Sequence, residues 1–410
     1  MTATDLPKRR TGVAMVAQRY HPLFGGAAVQ ARRLAEGLRR RGWRPFVVTT
    51  RAPGLSWREA IDGTSVLRVP IFGVRRWGLA GLLFYLATCI PLLATARRWS
   101  ILHVHGAAPF TWFPQTLARL LGKRVIVKMT LMGGDDVGGL GGGVQGSMNR
   151  SVFERADAVI SISRPMSDAY RATALDARRL VEMPQGVDVE RYRPASPEER
   201  RELRRRLGLA EEGPLLVFVG AIFHRKGADI AARAFAKLAA ERPTLQLAMV
   251  GMDDTTYDPV DLPEERTFCL ALKQELREAG LADRVRFSGV VDDVQNWMRA
   301  ADVFVFPSRR EGFGTVMVEA MAVGLPCVLA PIDGIAATVF RHGEDGVIVE
   351  GEDPEVWARA IEALLADPER AAAMGGAARA QACARYSFEV VCDRYEALYE
   401  ALLEGRPVAS

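Results

Sequence analysis

The 410-residue sequence predicts an α/β protein of two domains, each a doubly wound and mainly parallel sheet. The chain is longer than a single core usually serves and divides into two domains of roughly 190 residues. Short apolar runs alternate with helical stretches along both halves, the pattern of βα units whose ligands sit at the carboxyl ends of the strands. With 49% hydrophobic and 25% charged residues, the composition is that of an ordinary globular chain.

Val13 to Gln18 reads as the first strand, running into His21-Pro22-Leu23-Phe24-Gly25-Gly26 and an Arg- and Ala-rich helix. The pair Gly25-Gly26 lets backbone approach an anion at the helix start, although alone it is equally a tight turn. It is not the G-x-G-x-x-G dinucleotide fingerprint. Further strands are expected at Phe46 to Thr50, Val66 to Pro70, Ile101 to His105, Arg124 to Met129, Ala158 to Ser161 and about Leu180 to Met183. His103 and His105 end one of these strands, and His105 is either a packed histidine or a group facing the ligand side.

Residues Trp77 to Ala96 carry no charge and lie between Arg75-Arg76 and Arg97-Arg98. That length raises a membrane span. Pro91 interrupts the stretch, and a crossing would put the strand Ile101 to His105 and the strand at Val13 on opposite sides of a bilayer. The preferred reading is a helix covering the sheet, with a side open to an anionic membrane surface.

Thr130-Leu131-Met132-Gly133-Gly134-Asp135-Asp136 follows the strand ending at Met129, and Gly138 to Gly146 reads as a flexible loop that orders on binding. A polar, Pro- and Arg-rich connector runs from about Glu190 to Gly213. The second half opens at Leu215 to Val219, with Ala221, Arg225, Lys226 and Gly227 in the loop that follows. Leu245 to Val250 is the next strand, Met252 to Glu265 an acidic loop and Phe268 to Ala279 a helix. From Pro354 to Leu403 the chain reads as helical.

The most informative stretch is Pro307 to Pro326, which follows the apolar run Val303 to Phe306 and reads as strand, tight loop, helix. Gly312 and Gly314 allow close backbone approach, and the helix start near Thr315 offers N–H groups to an anion. Glu311 on the loop and Glu319 on the helix add two carboxylates, better suited to sugar hydroxyls than to phosphates.

Net charge is +5, with much of the basic excess in the first fifty residues. A basic face suits anionic lipid or a phosphorylated substrate; without an array of stacking aromatics, nucleic acid is not an expected partner. Five cysteines without C-x-x-C spacing read as reduced thiols of a cytoplasmic protein. No apolar h-region marks a secretory signal.

Ser308, Glu311-Gly312-Phe313-Gly314, Glu319-Ala320-Met321-Ala322, Gly324 and Pro326 together resemble the E-x7-E signature of retaining glycosyltransferases of the GT-B fold. Ala156 to Ser163, Pro184-Gln185-Gly186-Val187-Asp188, Gly220 to Gly227 and Tyr386-Ser387-Phe388 resemble further segments of that family. The resemblance implies two Rossmann-like domains facing a cleft. Residues 1–190 would form the acceptor side, 191–388 would bind the nucleotide-sugar, and 389–410 would be a helix crossing back to the first domain.

The resemblance also implies roles. Glu311 would hold the donor sugar and Glu319 the ribose. Lys226, Arg225 and the backbone of Gly312, Phe313, Gly314 and Thr315 would hold the diphosphate, with Gly25 and Gly26 nearby. A UDP-sugar is favoured as donor, then a GDP-sugar, and a saccharide or lipid-linked molecule is the acceptor. His105, Asp135 and Asp136 are acceptor-side candidates. No D-x-D triplet exists, so neither metal nor other cofactor is expected. The sequence departs from the family where Ala221 replaces an arginine, Asp333 a glycine and Gln185 an asparagine, and where no histidine occupies residues 130–132. A non-catalytic sugar-nucleotide or membrane-binding module of the same fold is the alternative.

Overall fold

The computed structural model describes residues 11–22, 26–70, 77–137, 143–256 and 262–408. Gly25 and part of the glycine-rich run after Val137 lie outside the described residues. The chain forms two units, Met1–Gly186 with Phe388–Ser410, and Val187–Ser387.

Unit 1 contains β1 (Gly12–Ala17), α1 (Gly26–Arg40), β2 (Arg44–Arg51), β3 (Arg58–Ile61), β4 (Thr64–Pro70), α2 (Trp77–Ala94), β5 (Ile101–His105), α3 (Trp112–Leu120), β6 (Arg124–Lys128), α4 (Gly143–Glu154), β7 (Ala158–Ser161), α5 (Arg164–Arg171) and β8 (Leu180–Glu182). The strands form one sheet in the order β3-β4-β2-β1-β5-β6-β7-β8. All neighbours are parallel except β3 and β4, joined by the left-handed pair Asp62-Gly63. β1, β5 and β7 are buried along their whole length, which is why they read as unbroken apolar runs. The helix at Trp77 is α2; among the described residues no helix is long and apolar enough to cross a membrane. Pro91 sits near its end, where the Thr95 hydroxyl donates to the Pro91 carbonyl at 2.7 Å.

Unit 2 contains α6 (Pro197–Leu207), β9 (Leu215–Val219), α7 (Ala228–Glu241), β10 (Gln246–Val250), α8 (Pro263–Glu278), β11 (Val285–Phe287), α9 (Val294–Ala300), β12 (Val303–Phe306), α10 (Thr315–Val323), β13 (Cys327–Leu329), α11 (Ile335–Val339), β14 (Val347–Ile348), α12 (Pro354–Leu365) and α13 (Pro368–Gln381). Its parallel sheet has the order β11-β10-β9-β12-β13-β14. Phe218, Phe235 and Trp357 lie in its core.

Three segments differ from the expectation. The connector after Glu190 contains α6, started by a capping box in which the Ser196 hydroxyl accepts from Glu199 N–H and the Glu199 carboxylate accepts from Ser196 N–H. The helix expected at Phe268 begins at Pro263. The glycine-rich run is helical from Gly143 on, because α4 starts there.

The last helix, α14 (Phe388–Glu404), belongs to unit 1. It buries Val391, Cys392, Tyr395, Leu398, Tyr399 and Leu402, a stripe at helical spacing. Gly37 of α1 faces it: a Cβ there would lie 2.5 Å from the Cys392 sulfur, so the bare backbone sets how closely the two helices pack.

Candidate active site

In unit 2 the strand order reverses between β9 and β12. β10 and β11 extend to one side of β9, and β13 and β14 to the other side of β12. In doubly wound sheets the crevice at such a reversal, outside the carboxyl ends of the strands, takes the ligand. Lys226 follows β9 and Glu311 follows β12, and they meet there: the Lys226 ammonium lies 2.5 Å from Glu311 Oε1. Ser308 Oγ donates to the same oxygen at 2.8 Å. Both Glu311 and Ser308 are buried, so the carboxylate is held in one orientation by a cation and a hydroxyl.

The two loops are tied by backbone. Arg309 N–H donates to the Arg225 carbonyl at 2.9 Å, and the Arg225 guanidinium returns a bond to the Arg310 carbonyl at 2.7 Å. Gly227 makes this approach possible. Its φ is +71°, and a Cβ there would lie 1.9 Å from the Pro307 carbonyl oxygen. Gly227 also starts α7, and Gly314, with φ +77°, starts α10, so two helix N-termini open on the same crevice.

Arg309 acts as a clamp beneath the pair. Its guanidinium binds both Asp229 oxygens at 2.9 and 3.0 Å and both Glu352 oxygens at 2.7 and 2.8 Å. Burial alone would push the Asp229 carboxyl up, but the Arg309 hydrogen bonds outweigh it and hold the group below the ordinary value.

Glu319 is the single charged residue of α10 and is buried within it. Phe313 is buried and packs edge-on against Tyr386, with centroids 6.1 Å apart. Gly312 is buried and Thr315 half-buried. After β13, Ile332 and Asp333 both have φ of +52°, left-handed backbone in residues that carry a Cβ. Each costs about 1–2 kcal/mol, at the carboxyl end of the strand beside β12.

In unit 1 the order reverses between β1 and β5. Gly26 opens α1 after β1, and His105 ends β5 in register with Ala17. His105 is buried with its ring stacked on His103 at 4.2 Å, and its Nε2 has no hydrogen-bond partner among the described residues. His103 Nδ1 bonds the Tyr399 hydroxyl at 2.7 Å. Lys128, also buried, donates to Tyr395 Oη at 2.9 Å and to Gln185 Oε1 at 3.3 Å. Burial brings the Lys128 ammonium down to about 7, with Asp135 opposing. Burial, then the charge of Lys128, pushes His105 well below its ordinary value.

Asp135 and Asp136 turn toward their own loop. Asp135 accepts from Thr130 N–H and Oγ1 at 2.8 and 2.5 Å and from Leu131 N–H at 2.7 Å. Burial still raises its carboxyl above the ordinary value. Asp136 accepts from Gly133 N–H at 2.8 Å.

The sequence family described as "Glycosyl transferases group 1" matches residues 199–381, and "Glycosyl transferase 4-like domain" matches residues 25–186. A D-inositol 3-phosphate glycosyltransferase of Xylanimonas cellulosilytica is 30% identical over 413 aligned residues, covering 93% of this chain and 93% of that protein. This chain belongs to the group 1 glycosyltransferases. Another D-inositol 3-phosphate glycosyltransferase, from Geodermatophilus obscurus, is 34% identical over 319 residues. That alignment covers 76% of this glycosyltransferase and 64% of the relative's own length. Among solved structures, Anabaena Alr3699/HepE in complex with UDP and glucose superposes with a TM-score of 0.77 at 20% identity. It covers 96% of this chain and 100% of that one. The fold is therefore GT-B, with two Rossmann-like units.

Sequence reading located Glu311, Lys226 and Ser308 in this glycosyltransferase, and the structure brings the three together. It missed Arg309, whose signal is only the pair Arg309-Arg310 just before Glu311, and Lys128, whose signal is a lysine closing the apolar strand R-V-I-V-K. Gln185, the departure from the usual asparagine, reaches Lys128 from the end of unit 1's sheet.

Proposed function

We propose that this glycosyltransferase moves a hexose from a nucleotide-sugar, a UDP-sugar first and a GDP-sugar second, to a saccharide or lipid-linked acceptor with retention of anomeric configuration. The carrying observation is the meeting of Lys226 and Glu311, 2.5 Å apart, at the β9–β12 reversal. Glu311, fixed by Ser308, holds donor-sugar hydroxyls, and Glu319 holds the ribose. Lys226, Arg225 and the N–H groups of Gly312, Phe313 and Gly314 stabilise the negative charge that grows on the departing diphosphate. The leaving phosphate accepts the proton of the incoming hydroxyl on the same face, so no carboxylate attacks the sugar. These cations and N–H groups supply the charge stabilisation that a divalent ion gives other transferases, and no metal is required.

A phosphorylated small polyol is the second acceptor reading, favoured by the name that the two inositol phosphate relatives carry and by the basic N-terminal half. The reaction takes place in the cytoplasm, at an anionic membrane surface where the acceptor is lipid-linked. Incubation with UDP-, GDP- and ADP-sugars, reading nucleotide release and product anomer by NMR, tests the proposal. Nucleotide binding without turnover, with acceptor extracts present, would instead favour a non-catalytic sugar-nucleotide module, the reading suggested by Ala221 and the missing histidine.

A further inference from the structure

The outer face of α2 is apolar from end to end. Leu79, Leu83, Leu86, Ile90 and Leu93 recur at spacings of four and three and are all exposed, Ile90 by 72% and Leu93 by 57%. The opposite face packs inward through Phe84, Tyr85, Thr88 and Leu92. A helix without one charged residue on its open side must be covered by something other than water.

Charge says what covers it. From Gly63 to Gly134 the sequence holds no acidic residue but nine cations. Arg97, Arg98 and Arg119 are exposed, and with Lys123 they gather where α2 and α3 end, beside Leu120, which is 81% exposed. β5 and β6 start there side by side, Ile101 opposite Arg124, so both helix ends lie on one edge of the sheet. Leucines bordered by arginines, with Asp157 at the same end of the sheet taken up by Arg124 at 3.4 Å, match the interface of an anionic bilayer.

A second copy of this chain fits less well. The five side chains expose roughly 400–500 Å², about half of what each partner buries in a stable interface, and two copies would bring like charges together.

We propose that α2 and the end of α3 dock this glycosyltransferase on an anionic lipid surface, the apolar stripe entering the headgroup region and Arg97, Arg98 and Arg119 meeting lipid phosphates. The inference deepens the lipid-linked reading of the acceptor by assigning the surface that reaches it. Flotation with vesicles tests it without turnover, so its failure is distinct from failure of the transfer reaction. The full chain is floated with phosphatidylglycerol–phosphatidylcholine vesicles and with phosphatidylcholine alone, at low and high salt. It is expected to float only with the anionic vesicles and to be released by salt. Leu86→Asp/Ile90→Asp and, separately, Arg97→Gln/Arg98→Gln should each lower vesicle affinity by roughly tenfold or more. Unchanged thermal unfolding and unchanged donor hydrolysis would show that these variants fold. Failure of the wild-type protein to float, or flotation indifferent to both variants, overturns the proposal. So does a concentration-dependent dimer that the aspartate pair dissolves, which would assign the face to a second copy.

Discussion

Gly227→Ala is the sharpest perturbation of the active-site reading. The new methyl carbon would start 1.9 Å from the Pro307 carbonyl oxygen, with φ fixed at +71°. Left-handed backbone costs an alanine about 1–2 kcal/mol, and relieving the overlap adds ~1–3 kcal/mol of packing strain. A total of ~2–5 kcal/mol lowers the melting temperature of a unit this size by roughly 5–15 °C. Relief requires the Lys226 and Glu311 loops to separate by at least about 1 Å, a displacement that costs transfer about 10²-fold. Differential scanning fluorimetry and kcat/KM with a UDP-sugar read the two effects. An alanine variant melting within about 2 °C of wild type and turning over at more than a third of its rate would refute the claim that Gly227 holds the loops together.

Glu311→Gln and Lys226→Gln should each lower kcat by about 10²–10³-fold, as removal of one preorganised charge contact does, while Glu319→Gln should chiefly raise KM for the donor; steady-state kinetics on purified variants separate the two patterns. Arg309→Ala strips both carboxylates from the clamp and leaves the buried Asp229 with the longer Arg233 pair at 3.7 Å, so urea unfolding should report a loss of ~1–3 kcal/mol; an unchanged midpoint would remove the clamp from the account. Lys128 titrates at about 7 in the folded chain against 10.5 ordinarily, so between those values the unfolded chain binds more protons and stability rises with pH. Lys128→Met should therefore gain most over wild type near pH 7 and lose that gain by about pH 10, and urea midpoints at pH 7 and pH 9 that move in parallel for both proteins would contradict it.

Strands such as β1 and β9 were legible because both faces are buried and the run is apolar throughout. β3 was not: R-E-A-I is an edge strand without an apolar face, and the only signal was Asp62-Gly63, the two-residue turn that a tight hairpin prefers. α6 was hidden by its charges, P-E-E-R-R-E-L-R-R-R-L, although the preceding serine and the glutamate three residues later mark a helix start. In the active site, Glu311 and Lys226 were readable one loop at a time, each as strand, glycine and helix start. Their contact joins residues 85 apart, and only the strand order puts them side by side. His105 was left open between two readings. Stacking on His103 places it among buried groups, while its Nε2, without a partner among the described residues, keeps a polar atom uncommitted.

The return of α14 to unit 1 has a consequence for how the chain is made. Residues 187–387 are one uninterrupted segment whose ends pair with each other, Val187 N–H donating to the Tyr386 carbonyl at 2.8 Å. Unit 2 can thus close without α14, once residue 387 is free of the ribosome. Unit 1 stays open, with His103 and Lys128 lacking Tyr399 and Tyr395, until α14 docks. A chain cut before Phe388 would carry one complete unit and one lacking its closing helix.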